Sequence, residues 1–318
     1  MSLRRDHGGG LDAAIAKYGG TRPDWLDLST GINPVPYPTG EIDLNDWTAL
    51  PDQAAQTALI DAARSFWNVP EDAAIVAAPG ASALIARMPD LTGQTSAYIP
   101  QPTYNEHAAA FHARNPQMDQ SDKTHPVRIF VHPNNPDGAV LDADDFTQGG
   151  KSSFTIIDES FCDICPELSH IDHAARPKTI ILKSFGKFWG LAGVRLGFAI
   201  GATDTLLPKL PDLLGPWAVA GPALTIGARA LNDHNWANQT RQRLREDAET
   251  LDGLMAQKGV QCLGGTDLFR LYDVDDATAW QDRLAQNKVW SRIFPYSRTW
   301  LRLGLPHPNR WDQLKAAL

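Results

Sequence analysis

Lys187 stands three residues after Ser184 and eight before Arg195, in the run Lys183-Ser184-Phe185-Gly186-Lys187-Phe188-Trp189-Gly190-Leu191-Ala192-Gly193-Val194-Arg195. The apolar stretch from Thr179 to Leu182 leads into it, so the lysine lies just past a strand, among glycine-rich turns. A primary amine condenses with an aldehyde, and a hydroxyl with a guanidinium can hold a phosphate. Upstream, Phe154-Thr155-Ile156-Ile157 runs into Asp158-Glu159, which puts an acid at the carboxyl end of a strand, where ligands sit in a parallel α/β sheet. Phe130-Val131 runs into the rigid turn His132-Pro133-Asn134-Asn135-Pro136, which offers the Asn135 side chain. Pro79-Gly80-Ala81-Ser82 follows one strand and opens a helix, so its backbone N–H groups and the helix dipole favour a phosphate. Tyr104, in Pro102-Thr103-Tyr104, supplies an aromatic face for a flat ring.

Taken singly, these are a turn lysine, a strand-end acid and ordinary turns. Together they converge, because Lys187, Asp158, Asn135 and the Gly80 turn all fall at predicted strand ends of one sheet, and Tyr104 follows another strand. A phosphate-bearing aldehyde whose ring nitrogen wants a carboxylate is pyridoxal 5'-phosphate (PLP), the expected cofactor. On that reading Lys187 forms the imine, Asp158 faces the pyridine nitrogen, Asn135 meets the ring oxygen and Tyr104 stacks on the ring. No metal site is expected. Cys162-Asp163-Ile164-Cys165 lacks a second ligand pair at suitable spacing and reads as two semi-buried thiols.

Positioning these residues requires a sheet. From about residue 55 to 215, short β-branched runs alternate with helical stretches, the rhythm of βαβ units. The predicted strands are Ala74 to Ala78, Thr95 to Ile99, Val127 to Val131, Phe154 to Ile157, Thr179 to Leu182 and Phe198 to Ile200. The first 48 residues, punctuated by Gly and Pro, should form an ordered arm. Beyond residue 220 a charged helix is expected from Asp233 to Lys258, capped by Gly259, followed by strands at Asp267 to Tyr272 and Thr299 to Leu303. The organisation expected is therefore an arm with part of the small domain over 1–48, a large cofactor-binding domain over 49–218 and a small α+β domain over 219–318.

The chain has 318 residues, 43% hydrophobic, long enough for a sizeable core. A formal charge of −8 opposes a nucleic-acid role, which needs a clustered basic surface. Nowhere do about eighteen apolar residues run together, so no membrane span is expected. Three cysteines and a polar, Gly-rich start point to a cytoplasmic setting.

From His7 to about Leu303 these motifs resemble the fold-type-I PLP family, and within it the branch holding histidinol-phosphate aminotransferase and the threonine-phosphate decarboxylases. The resemblance implies an α/β fold with a mostly parallel central sheet in the large domain, and a homodimer whose arm helps to close the site. It makes Ser184, Arg195 and the Gly80-Ala81-Ser82 turn phosphate ligands and Arg302, in Trp300-Leu301-Arg302-Leu303, the clamp on a substrate carboxylate. Three features lean toward the decarboxylases: His7-Gly8-Gly9 with Asp27-Leu28-Ser29-Thr30-Gly31-Ile32-Asn33-Pro34, Phe161 where aminotransferases carry a Tyr, and Gly215-Pro216-Trp217-Ala218-Val219. The implied reaction is PLP-dependent decarboxylation of L-threonine O-3-phosphate to (R)-1-amino-2-propanol O-2-phosphate in cobalamin biosynthesis. His7 and Asn33, helped by Arg4 or Arg5, are the candidates for the substrate phosphate.

Two departures stand out: Leu50 replaces a Tyr that reaches the neighbouring subunit's cofactor phosphate, and Gly186 replaces a hydroxyl residue before the lysine. The alternatives are an aminotransferase of the histidinol-phosphate type and a non-catalytic module of the same fold, which would have lost Lys187, Asp158 or Arg302. His7-Gly8-Gly9-Gly10 also resembles an esterase oxyanion motif, but no Gly-x-Ser-x-Gly elbow accompanies it.

Overall fold

The computed structural model describes residues 7–147, 153–203 and 206–318, and the chain divides into two compact units. The larger comprises Pro36–Asn135 and Val140–Asn238. Its sheet consists of β1 (Ala73–Ala78), β2 (Ala97–Tyr98), β3 (Val127–Val131), β4 (Phe154–Asp158), β5 (Thr179–Ser184) and β6 (Gly197–Ala202), in the order β1-β6-β5-β4-β3-β2. Strands β2 to β5 are parallel, and β6 is antiparallel to both its neighbours. The expected strand at Thr95 to Ile99 contracts to two residues, because Ile99 gives its N–H to the Gln120 carbonyl (2.8 Å) instead of a neighbouring strand.

This unit also holds α1 (Leu44–Thr48), α2 (Gln53–Trp67), α3 (Ala81–Thr92), α4 (Asn105–His112), α5 (Gly221–Leu231) and the start of α6 (His234–Ala256). Leu84, Ile85, Met88 and Leu91 form one stripe of α3, which packs with Phe111 of α4 against Ile129, Ile156, Leu182 and Ala199 of the sheet. Side chains alternate along a strand, so Asp158 shares this helix-covered face with Ile156, while Lys183 points to the other face.

That other face buries charge. Lys183, 1% exposed, is hydrogen-bonded to Glu159 (2.5 Å) and lies 3.9 Å from Asp163. Glu159 also accepts from Ser169 Oγ (2.7 Å) and the His170 N–H (2.6 Å). Asp163 accepts the indole N–H of Trp67 (2.8 Å) and of Trp189 (2.9 Å), one on each oxygen.

The smaller unit comprises Met1–Val35, Pro136–Ala139 and Gln239–Leu318. Its antiparallel sheet has the order β9-β10-β8-β7, with β7 (Gln261–Thr266), β8 (Phe269–Asp273), β9 (Arg292–Phe294) and β10 (Ser297–Gly304). Helix α7 (Ala277–Gln286) links β8 to the last strands. Strands β8 and β10 and helix α6 lie where the sequence pattern puts them. Strands β7 and β9 carry no legible pattern, since β7 is interrupted by Gly264 and Gly265 and β9 has three residues. The arm helix Leu11–Tyr18 is pinned by its last residue: the Tyr18, Trp25 and Trp290 rings meet with centroids 6.3 to 6.4 Å apart. Gly138 lies so close to β7 that a Cβ there would stand 2.0 Å from the Gly265 carbonyl oxygen.

The division falls at 35/36 and 238/239, not at the expected 48/49 and 218/219. Residues after 35 go with the larger unit because the Tyr37 N–H donates to the Trp189 carbonyl (2.9 Å) and Arg229 donates to the carbonyls of Thr39 (2.6 Å) and Glu41 (3.2 Å). Helix α5 goes with it because α5 packs on α2, with Gly227 close against Leu59. Among the described residues no helix is long and apolar enough to cross a membrane.

Burial alone would push the Glu159 carboxyl up, but the charge and hydrogen bond of Lys183 hold it below its ordinary value of 4.5. Burial disfavours the Lys183 ammonium, yet Glu159 and its neighbours hold its pKa above the ordinary 10.5. The carboxylate therefore adds stability above pH 4.5 that is lost as pH falls, and the ammonium adds stability below pH 10.5 that is lost as pH rises. Lys183→Met is expected to lower unfolding free energy by about 3–5 kcal/mol in denaturant titrations at pH 7, because it strands a buried carboxylate. It should also flatten the acid-side loss of stability expected of the parent protein.

Candidate active site

Asp158 ends β4, and its own carbonyl accepts the His132 N–H (2.8 Å). Its carboxylate is 2% exposed and engaged at both oxygens: Oδ1 accepts from the Ser160 N–H (2.9 Å) and hydroxyl, and Oδ2 lies 2.8 Å from His107 Nε2. A carboxylate only accepts, so the imidazole donates from Nε2. Burial pushes the Asp158 carboxyl up, but the His107 and Ser160 hydrogen bonds outweigh it and hold the group below its usual range, ionised.

Helix α4 positions two residues at once. Tyr104 is its N-cap and His107 lies three residues on, one turn along the same face, with the two rings edge to face at 6.1 Å. The Tyr104 hydroxyl is hydrogen-bonded to Ser82, and burial raises its pKa. Thr103 donates to Asn134 Oδ1 (2.6 Å) and Asn134 donates to the Pro102 carbonyl (3.0 Å), which ties the segment before Tyr104 to the turn carrying Asn135.

The residues expected to hold a phosphate meet at the start of α3. Its N-cap is Gly80 at φ 90°, with no side-chain cap, so the first N–H groups of the helix face outward. Arg195, at φ 54°, donates to the Ala192 carbonyl (2.9 Å) and presses its guanidinium on Gly80, where a Cβ would stand 2.5 Å from Nη2. Gly197 lies against Ala81 N, 2.4 Å from where its Cβ would be, and pairs in register with Ser184. Ser184, Arg195 and Gly80-Ala81-Ser82 thus gather around one point, and the Ser184 hydroxyl accepts the Gly186 N–H (3.2 Å). Lys187 follows β5, with Nζ 5.0 Å from the centroid of the Phe161 ring, three residues beyond Asp158.

The smaller unit holds the other expected site residues. Arg302 is buried on β10, directly opposite Arg292 of β9 in the strand register. It donates from Nη2 to the Ser29 carbonyl (2.8 Å), and burial together with the charge of Arg292 pulls its pKa down to about 9. Ser29 also receives the arm, since its hydroxyl accepts the Gly9 N–H (2.7 Å) and donates to Asp27 (2.6 Å), and Gly8 packs on its carbonyl. His7 directly precedes Gly8. The Asn33 oxygen accepts the Val35 N–H (3.0 Å) and Arg243 Nη2 (2.7 Å). Arg4 and Arg5 lie outside the described residues.

Sequence reasoning missed His107, Arg292 and Ser29. A histidine three residues after Tyr104 on a helix was a readable signal. The pairing of Arg292 with Arg302 depends on strand register and was not.

The model for class I and II aminotransferases matches residues 116–317. The chain belongs to that family. A threonine-phosphate decarboxylase from Sinorhizobium sp is 37% identical, covering 96% of this chain and 94% of that protein. Another, from Pseudomonas aeruginosa, is 34% identical, covering 98% and 97%. The crystal structure of histidinol-phosphate aminotransferase from Sinorhizobium meliloti in complex with pyridoxal-5'-phosphate superposes with a TM-score of 0.80 at 17% identity, covering 100% of this chain and 94% of that one. The α/β fold with its mostly parallel sheet is therefore that of fold type I.

The residues of the larger unit fit PLP: an ionised buried acid for the ring nitrogen, an uncapped helix start beside a guanidinium for the phosphate, and a lysine at the same strand ends. Gly80→Ala would place a methyl against Arg195 in a left-handed conformation. It is expected to weaken PLP binding about tenfold or more in equilibrium dialysis, while affinity for pyridoxal, which lacks the phosphate, changes little.

Proposed function

We propose that this protein is a PLP-dependent lyase that decarboxylates L-threonine O-3-phosphate to (R)-1-amino-2-propanol O-2-phosphate in cobalamin synthesis, with Lys187 as its covalent cofactor lysine. The observation that carries the reading is similarity over nearly the full length to two threonine-phosphate decarboxylases, at 37% and 34% identity. The bound cofactor would supply an electron sink for the pair left on Cα when carbon dioxide departs. Asp158, kept ionised by His107 and Ser160, holds a proton on the pyridine nitrogen. Tyr104 covers one ring face and Asn135 meets the ring oxygen. Ser184, Arg195 and the N–H groups of Gly80-Ala81-Ser82 bind the cofactor phosphate.

Arg302 holds the substrate carboxylate. Arg292 opposite it adds a second guanidinium, which suits a substrate that carries a phosphate as well. His7 and the Asn33 amide complete the phosphate contacts. Lys187, in its protonated form, would be the acid that returns a proton to Cα. Phe161 brings no hydroxyl near Lys187, where aminotransferases carry a Tyr. A cytoplasmic location is consistent with Cys162, Cys165 and Cys262 being free thiols.

The test is incubation of purified protein with PLP and threonine phosphate, following both carbon dioxide and the cofactor spectrum. Carbon dioxide release with the aldehyde form retained is the expected result. Accumulation of the amine form, rescued by a keto acid, would instead assign an aminotransferase of the histidinol-phosphate type. Lys187→Ala should abolish the borohydride-trappable link to the cofactor.

The working form we propose is a homodimer joined through the larger unit. Leu44, Trp47 and Leu50 are 72%, 66% and 66% exposed, and Trp217, held at φ 52°, is 54% exposed. They belong to one region, because the Asp46 backbone abuts Gly221 and its carboxylate accepts from Thr225 (2.7 Å) at the start of α5, just after Trp217. Beside Trp217 a cavity of about 570 Å³ is lined by Leu59, Ile60, Ile75 and Leu224. Such an apolar patch on an exposed face marks an interaction site. Trp47→Glu combined with Leu50→Glu should shift sedimentation from dimer to monomer and reduce activity, and an unchanged dimer would place the interface elsewhere.

A further inference from the structure

Asp163 has no part in the chemistry above, yet its carboxylate is buried and receives two indole N–H groups. We infer that Asp163 is a positioning residue for Lys187 and acts through the indole of Trp189. This rests on Lys187 being the lysine that bonds the cofactor.

The loop carrying Lys187 begins and ends on one aromatic column. Phe185, two residues before the lysine, and Trp189, two residues after it, stack face to face with centroids 5.0 Å apart and ring planes 9° apart. Trp189 stacks in turn on Trp236, at 5.4 Å and 12°. Between the two ends the chain turns tightly, the Gly190 N–H donating to the Lys187 carbonyl (3.0 Å). With Phe185 and Trp189 both committed to the column, the lysine side chain projects away from it and reaches Phe161.

Stacking resists tilting of a ring but permits sliding and rotation within its plane. The bond from Trp189 Nε1 to Asp163 Oδ2 removes that freedom, because the donor direction of an indole lies in the ring plane. Asp163 is itself fixed. Its other oxygen takes Trp67 Nε1, Lys183 stands 3.9 Å away, and it sits five residues after Asp158 on the turn that also bears Phe161. The strand-end acid and the lysine loop are thus joined by a rigid side-chain link as well as by the sheet.

Trp67 supplies the control. It makes the same kind of bond to the same carboxylate, but it ends α2 and packs edge-on against Phe198, with no covalent tie to the lysine loop. The experiment compares Trp189→Phe, Trp67→Phe and Asp163→Leu as PLP-loaded proteins. The readouts are the rate of formation of the borohydride-trappable cofactor link, the pH midpoint of its absorbance band, and thermal stability. Trp189→Phe and Asp163→Leu are expected to slow formation of the link about tenfold and to move the midpoint. Trp67→Phe should lose comparable stability while keeping both cofactor readouts within about twofold of the parent. Trp189→Phe made in the Asp163→Leu background should add no further change, since the two act as one link.

Equal cofactor behaviour of the two indole variants would overturn the inference. So would failure of Trp189→Phe to fold alongside an Asp163→Leu holoprotein that titrates like the parent. Persistence of the trapped link in Lys187→Ala would sink the lysine assignment instead, which keeps the two failures apart.

Discussion

Asp158 lies at the inner end of β4 with its carboxylate out of water, and a charge in that position survives only if its lone pairs are met. His107 and Ser160 meet them, and much of the larger unit follows from that requirement. Helix α4 must start where it does for His107 to reach the acid, and the same start places Tyr104 beside Ser82 at the opening of α3. The turn after β3 must then pack on the segment before Tyr104, which it does through Thr103 and Asn134. One buried charge thereby sets the spacing of four strand-end loops.

The opposite face of the sheet answers the same problem differently. Glu159 follows Asp158 directly, points to the other side, and is neutralised by Lys183, while Asp163 is satisfied by two indoles and by the nearby ammonium. Such groups cost desolvation free energy that apolar residues would not, so a buried ion pair is a poor route to stability alone. What it provides here is direction, because a charged hydrogen bond fixes where Trp189 and the turn after β4 lie. Close approach does comparable work at Gly80 and Gly197, where any side chain would collide with Arg195 or the start of α3.

Most of the large sheet was legible in the sequence, and candidate site residues could be named from it. Buried parallel strands are written as short β-branched runs, and a ligand-binding residue at each carboxyl end follows from the topology of such sheets. The misses share a cause. Strands β7 and β9 are too short or too rich in glycine to show a period, and the edge strand β2 ends early because its neighbour on one side is a loop. Nothing local to Asn33 reveals that Arg243, far along the chain, donates to its oxygen.

The sequence by itself determined the fold class and put a candidate lysine, hydroxyl, guanidinium and acid close to strand ends, because spacing around a strand end is local information. Only the tertiary structure decided which groups meet that acid and the loop of that lysine. His107 reaches Asp158 across 51 residues, Trp189 reaches Asp163 across 26, and Arg302 reaches Ser29 across 273. The pairing of Arg292 with Arg302 likewise depends on the register of two strands. Partners of this kind are chosen by packing, and a linear pattern carries no record of them.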